Sequence, residues 1–331
     1  MRPTLLATTL KGLIQKKRYT HIEGSPGLGK TAVPRQVCAD LGIGLILIHA
    51  PTLQPEDLGL PSANADKTRL KFLLTERFPV VGDDGPDEGV ILIDELPQAA
   101  NDIQKTMAHL VQEHDLLGHP IKPGWSFVST GNRQSDRAGA NRILSHLSNR
   151  CTRLEFEPHL DDWCAWALDN GVRPEIVQFL RFKPGLLADF NPQMDSNPTP
   201  RAWVEGVSEI IDAVPAESEY ECIKGAVGDG AASEFVAFLK IYRKLPDPDA
   251  VLLDPKNAKV PDDPATLYAI SGAVAHRATQ VNAEAVLTYA RRLPPEFTVL
   301  VVRDAVKKDP SFTQTRAFID WVSKEGQHII L

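Results

Sequence analysis

Hydrophobic positions along the chain follow two regimes. As far as about Pro158, short apolar runs alternate with amphipathic stretches; beyond it only the amphipathic spacing persists. Gly89-Val90-Ile91-Leu92-Ile93-Asp94 is a continuous apolar run without alternation, the pattern of a strand covered by helices on both faces. Tyr19–Glu23, Gly44–Ala50, Trp125–Thr130 and Thr152–Phe156 predict four further strands. The spacing predicts helices over residues 3–16, over Thr31–Leu41 with Gly42 as its stop, from Ala99 to about Leu116, and over Asp136–Ser148. In the third of these Ile103, Met107, Leu110 and Val111 share one face. Strands alternating with helices predict an α/β fold, a doubly wound parallel sheet of five strands. Residues 51–88 break the rhythm. A turn-rich segment, Ser62 to Lys67, precedes a strand-like piece, Arg69 to Phe78, and predicts a hairpin or short helical insertion at about 62–78.

The second half reads as helix throughout. Leu160–Asn170 is stopped by Gly171, and Pro174 opens the next helix in the favourable first-turn position. A Pro/Asn-rich loop, Asn191–Pro200, leads to helices near 201–214, 217–227 and 232–244. A proline-rich stretch, 246–264, separates them from helices near 265–279, 282–293, 296–308 and 311–325. The expected organisation is therefore an α/β domain over 1–158, a helical lid over 159–245, and a proline-rich linker with a helical extension over 246–331. Trp163 and Trp166, three apart, and Trp203 are expected in the lid core.

Composition narrows the function classes. The 331 residues are 43% hydrophobic and 24% charged, values of an ordinary globular protein. A net charge of −7, with Lys16-Lys17-Arg18 the only tight basic run, argues against a general binder of phosphate backbones. Cys38, Cys151, Cys164 and Cys222 lie far apart, without metal-ligand spacing, and read as reduced thiols of a cytosolic protein. The apolar run at Leu5-Leu6 is broken by Thr8, Thr9 and Lys11, unlike a signal peptide, and nothing approaches the ~20 apolar residues of a membrane span. The expectation is a cytoplasmic protein with no membrane partner.

The candidate chemistry starts at Gly24-Ser25-Pro26-Gly27-Leu28-Gly29-Lys30-Thr31, which fits the G-x-x-x-x-G-K-[ST] phosphate loop at every fixed position. It stands between a predicted strand and a predicted helix, the context the motif needs. Glycines allow backbone N–H groups to turn inward around phosphates, and the helix N-terminus adds partial positive charge. Lys30 is expected at the β- and γ-phosphates, and Thr31 on Mg²⁺. Asp94 and Glu95 follow the apolar strand, at the sheet edge where ligands of such folds bind. Asp94 is expected in the Mg²⁺ shell, and Glu95 as the group that orients or deprotonates an attacking water. Ser129-Thr130-Gly131-Asn132 ends another strand at that edge, and the Asn132 amide could reach both the γ-phosphate and the water. No histidine shows a metal-ligand spacing, and none is given a role.

The order of phosphate loop, apolar-Asp-Glu strand, Thr-Gly-Asn strand end and Asn149-Arg150 before the fifth strand resembles an AAA+ ATPase. More narrowly it is similar to the MoxR family, through Gln54-Pro55-Glu56-Asp57-Leu58-Gly59-Leu60-Pro61, Asp94-Glu95-Leu96 and Pro200-Arg201-Ala202-Trp203. The resemblance extends over about residues 1–245. It implies an Mg²⁺-dependent ATPase working as a homo-oligomeric ring, a hexamer, with ATP between subunits. It also implies that Arg150 is an arginine finger acting on a neighbouring subunit's ATP, with Arg142 and Arg153 as weaker candidates, and that Arg201 is a lid arginine touching the γ-phosphate in cis. The work implied is remodelling or activation of a client protein, often one with a von Willebrand A domain. Residues 62–78, with Phe72, the neighbouring leucines and Phe78, are the expected client contact. Two readings compete. A nucleic-acid motor or loader of the same fold is disfavoured by the acidic balance, and nucleic acid is not an expected partner. A nucleotide-switched scaffold would have no need of Glu95 and Asn132 together.

Overall fold

The structure is a computed structural model and describes residues 1–133, 136, 147 and 149–325. Apart from Asp136 and Leu147, the helix expected over Asp136–Ser148 lies outside the described residues, and Arg142 with it. The chain forms two compact units: Met1–His159 with Phe190–Gln193, and Leu160–Asp189 with Met194–Leu331.

The first unit is built on a parallel sheet. In chain order its elements are α1 (Pro3–Gln15), β1 (Thr20–Glu23), α2 (Ala32–Leu41), β2 (Gly44–His49), β3 (Gly59–Ala63), β4 (Leu70–Leu74), β5 (Glu88–Asp94), α3 (Asn101–Glu113), β6 (Asp115–Leu116), β7 (His119–Pro120), β8 (Gly124–Gly131) and β9 (Thr152–Glu155). Five of these strands form one sheet in the order β2-β5-β8-β1-β9, parallel throughout. All five are the strands expected from the apolar runs. The burial follows the order. Central β5 is buried from Gly89 through Ile93, whereas the edge strand β2 leaves Leu47 37% exposed. The fold is α/β, a five-stranded parallel sheet with its helices, followed by a helical C-terminal region.

Trp125 fixes the sheet's inner face at the start of β8. Gly44, Gly89 and Trp125 are register neighbours across β2, β5 and β8. A Cβ on Gly89 would lie 2.6 Å from the indole ring, and one on Gly44 2.9 Å. The two glycines thus leave the strands open for the ring, whose Nε1 donates to the Pro86 carbonyl at 3.0 Å.

β3 and β4 pair antiparallel, so the insertion is a hairpin rather than a helix. Its tip is closed by Asn64 and Arg69, with Asp66 accepting from the Thr68 hydroxyl at 2.6 Å. Leu60 (54%), Leu70 (75%) and Leu73 (52%) are exposed, and Phe72 is partly so. Phe78, expected on the same exposed flank, is instead 2% exposed within the α/β core. The chain turns inward after Leu74, and an isolated bridge from Val80 to Ile121 holds it there.

The second unit is helical and contains two apolar clusters, one drawn mainly from Trp163 to Leu239 and one from Val251 to Trp321. Phe179, Trp203 and Phe235 centre the first, with ring centroids 5.1 to 5.5 Å apart. Trp163 and Trp203 belong to that core, but Trp166 does not: although only one turn on from the buried Trp163, it is 45% exposed, at the rim of the buried face. The helix expected near 201–214 is wound in wider π-type turns over Ala202–Ser208. The one expected near 311–325 splits into a short turn, Pro310–Gln314, and a helix, Arg316–Lys324. Two caps account for the split, since the side chains of Asp309 and Thr315 each accept a backbone N–H at the start of one piece. The proline-rich stretch also carries a helix, Pro248–Leu253. Among the described residues no helix is long and apolar enough to cross a membrane.

The Trp125 packing makes a direct prediction. Gly89→Ala should destabilise the α/β unit by about 1–3 kcal/mol through overpacking, seen as an earlier denaturant midpoint. An unchanged midpoint would show that the ring is free to move aside.

Candidate functional site

The sheet order brings the expected residues to one edge. β1 runs between β8 and β9, and β5 lies on the other side of β8, so the C-terminal tips of β1, β5 and β8 are neighbours. The loop Gly24–Thr31 leaves the tip of β1, Asp94 and Glu95 stand at the tip of β5, and Asn132 follows the tip of β8. Within the loop, Gly27 and Gly29 have φ of 74° and 95°, values open to glycine but strained for a side chain. This curvature brings the chain into α2 with Thr31 at the helix start.

Lys30 is 8% exposed and its ammonium is well satisfied. It donates to the carbonyls of Gly24 at 2.9 Å and Ser25 at 2.7 Å, and to Asn132 Oδ1 at 2.8 Å. The first two contacts curl the loop around its own lysine; the third joins it to β8. Asn132 is itself 6% exposed. Thr31 Oγ1 donates to Asp94 Oδ1 at 2.8 Å, and Thr130 Oγ1 donates to the same oxygen. Asp94 is thereby tied to α2 on one side and to β8 on the other.

Glu95 is separated from its neighbour by backbone conformation. Its φ of 55° and ψ of 36° are left-handed, and its N–H donates to Thr130 Oγ1 at 3.0 Å. Thr130 therefore serves both acids, anchoring the side chain of one and the backbone of the other. His49, at the tip of β2 and in register with Asp94, stands beside the pair: its Nδ1 lies 3.7 Å from Asp94 Oδ2 and its Nε2 3.9 Å from Glu95 Oε2. Sequence reasoning gave His49 no role. The available signal was that a second apolar strand of the same sheet ends in a polar residue.

Beneath this edge lies a buried polar chain. Tyr19 OH and His21 Nδ1 both meet Ser129 Oγ, at 2.7 and 2.8 Å. Burial, then the charges of Arg153 and Lys30, depress His21 to about 3. Burial raises the Tyr19 hydroxyl well above its ordinary range. Both groups are therefore neutral at physiological pH.

The expected arginines are placed differently. Arg150 is exposed in the turn before β9, with no ion pair among the described residues. Arg153 lies 2.5 Å from Glu23 and is engaged there. Arg201 belongs to the helical unit, exposed at the start of the π-type turns and 3.9 Å from Glu205 one turn on. Glu95 and Asn132 thus share the edge with Lys30, Thr31 and Asp94. Arg150 stands on the surface of the same unit, and Arg201 in the other unit.

The donor set suits a hard cation held through oxygen. Thr31 and Asp94 offer a hydroxyl and a carboxylate, and among the described residues no group of three or more His, Cys, Asp or Glu could hold a metal alone. Mg²⁺ sites of that economy keep water and substrate phosphate as the remaining ligands.

Residues 21–156 match the family model described as ATPase family associated with various cellular activities (AAA). Over these residues the chain is similar to that family of ATPases. No curated protein matches the sequence. Among solved structures the chain is similar to NtrX from Brucella abortus in complex with ADP, at 12% identity over 98% of this chain and 68% of that one, with a TM-score of 0.42. It is also similar to a mutant of Thermotoga maritima RuvB, at 13% identity over 81% and 80% of the two chains, with a TM-score of 0.39. Likenesses this weak carry no functional information.

The neutral His21 makes the domain acid-sensitive in a defined window. Its folded pKa is depressed from the ordinary 6.5 to about 3, so between those values the unfolded chain takes up a proton that the folded chain refuses. The contribution is complete above pH 6.5 and shrinks as pH falls, by about 1.4 kcal/mol per unit. His21→Asn should flatten the decline of the denaturation midpoint between pH 6.5 and 5, relative to wild type. Parallel slopes would mean that His21 is protonated in place.

Proposed function

We propose that the AAA ATPase domain at residues 21–156 makes this chain an Mg²⁺-dependent, ring-forming ATPase of MoxR type that uses ATP hydrolysis to remodel or activate a client protein. The observation that carries the reading is the convergence of Lys30, Thr31, Asp94, Glu95 and Asn132 on one sheet edge, with Lys30 bonded to Asn132, Thr31 to Asp94, and the Glu95 backbone to Thr130.

On this reading the phosphates of ATP lie on the loop Gly24–Thr31, with Lys30 turning from its own carbonyls toward the β- and γ-oxygens. Thr31 and Asp94 would hold Mg²⁺, which neutralises charge on those oxygens when bound. The Thr130 hydroxyl keeps Asp94 oriented. Glu95, left free of Asp94's hydrogen bonds by its left-handed backbone, orients and deprotonates the attacking water. Asn132 lies within reach of Lys30 and reports on the γ-phosphate. Arg150, exposed and without an ion pair among the described residues, suits a finger acting on a neighbouring subunit's ATP, the arrangement of a hexameric ring. Arg201, with a long contact to Glu205 as its one ion pair among the described residues, suits a lid arginine drawn to phosphate. It stands at a helix start, where a cation opposes the helix dipole and an anion would favour it. The parts would be an ATPase domain over 1–158, a lid over 159–245, and a linker with helical extension over 246–331.

The hairpin supports a protein client. Leu60, Leu70 and Leu73 are exposed on a small sheet whose register is fixed and whose polar tip is hydrogen-bonded, so the apolar surface is held out on a firm support. A von Willebrand A domain is the client we propose, on the MoxR resemblance. The net charge of −7 gives no support to a nucleic-acid motor.

The test separates binding from turnover. Glu95→Gln should bind ATP with Mg²⁺ as wild type does in a calorimetric titration, while phosphate release falls by roughly 10²–10⁴-fold, the usual contribution of a general base. Turnover at the wild-type rate would remove Glu95 from the mechanism.

A further inference from the structure

A cavity of about 330 Å³ opens within the helical unit, walled by the helices Pro174–Phe182, Pro264–Arg277 and Pro295–Lys308. No residue assigned to ATP lines it. Its polar wall comprises Gln178, His276, Lys307 and Lys308, with the carboxylates of Asp304 and Asp169.

Two lysines and two aspartates line this wall, and Arg181 behind it compensates one of the aspartates. Asp304, 6% exposed, is occupied by Arg181, which grips both carboxylate oxygens, one of them at 2.8 Å. Lys307 donates to the Ala165 carbonyl and lies 3.1 Å from Asp169. An ammonium has three donors, so one remains. Lys308 has no carboxylate within ion-pair distance among the described residues. Burial, then the charge of Arg277, pushes its ammonium below its ordinary range, and Asp309 only partly offsets this. Burial and the charges of Lys308 and Arg277 likewise depress His276. As the last residue of its helix, Lys308 also complements the helix dipole. That accounts for a lysine at this position but not for the other polar group in the wall.

Gln178, 1% exposed, lines the same cavity. Its oxygen accepts from Arg181 at 3.4 Å, but its amide nitrogen meets no acceptor among the described residues and lines the cavity. Buried amides ordinarily have partners. Gly272 makes room for this one, since a Cβ there would fall 2.3 Å from the Gln178 side chain. An unmet donor and an exposed lysine without an ion pair among the described residues therefore line the same open cavity.

We propose that this cavity binds a small phosphate-bearing anion, held by Lys308, the remaining donor of Lys307 and the Gln178 amide. Converging N–H donors suit a tetrahedral oxyanion, and lysine serves phosphate as a point charge. The volume, at the lower end for small-ligand pockets, leaves room for a phosphate with a small organic group.

Inorganic phosphate is the probe. The full chain is titrated in saturating ADP and Mg²⁺, so that a phosphate loop site is already filled. Wild type should show one saturable site, weakened at least about tenfold by Lys308→Gln and by Gln178→Met, and retained in Lys308→Arg. Melting curves of the variants check that the fold survives, and Lys308→Gln, at a partly exposed helix end, should keep it. Absence of saturable binding would overturn the proposal, as would wild-type affinity in Lys308→Gln. Binding abolished by Lys30→Ala but not by Lys308→Gln would assign the phosphate to the loop and overturn it too. Acetate binding as tightly as phosphate would replace phosphate by carboxylate as the ligand class.

Discussion

The ammonium of Lys30 is the interaction on which the rest of the site depends. It is almost wholly buried, and a buried charge is tolerable only when it is hydrogen-bonded on several sides. Gly24, Ser25 and Asn132 provide that. Two of these acceptors are backbone carbonyls of the loop itself, so the lysine holds the loop in its curl. The third belongs to another strand, so the curl is fixed against the sheet. The parallel order makes this possible: β1 and β8 are hydrogen-bonded neighbours with Glu23 opposite Gly131, which leaves the loop and Asn132 one step apart.

The two acids gain different characters from the same few bonds. Asp94 accepts from Thr31 and Thr130 and is fixed as a ligand would be; Glu95 has a left-handed backbone, and its carboxylate lies 3.9 Å from His49. Thr130 joins the two, while Ser129, the preceding residue of the strand, meets the neutral pair Tyr19 and His21. Two separate hydroxyl contacts thus meet on β8, one toward the buried pair and one toward the acids. In the low-dielectric interior such bonds are stronger than in water, and a missing partner is correspondingly more disruptive.

Much of this was legible in the sequence, for identifiable reasons. The five strands announce themselves because a strand covered on both faces has no polar positions, and Gly89–Asp94 shows that without interruption. The phosphate loop and the acid pair are local motifs, readable without knowing what lies across the sheet. What escaped depends on register or on the third dimension. His49 gains its place only because β2 pairs with β5 so that His49 meets Asp94. Thr130 and Ser129 matter through partners at least 35 residues away in sequence. Trp166 and Phe78 were misassigned because spacing gives a face but not what covers it: Trp166 is exposed and Phe78 buried. The cavity at Lys308 was invisible for the same reason, since its walls come from helices more than a hundred residues apart.

The central claim is that Lys30 holds the phosphate loop ready and then transfers its hydrogen bonds to bound phosphate. Calorimetric titration of ATP with Mg²⁺ into wild type and Lys30→Ala, with circular dichroism confirming that both are folded, tests it most directly. Affinity should fall at least about a hundredfold, roughly 2.8 kcal/mol, in the variant. Equal affinities in two folded proteins would contradict it.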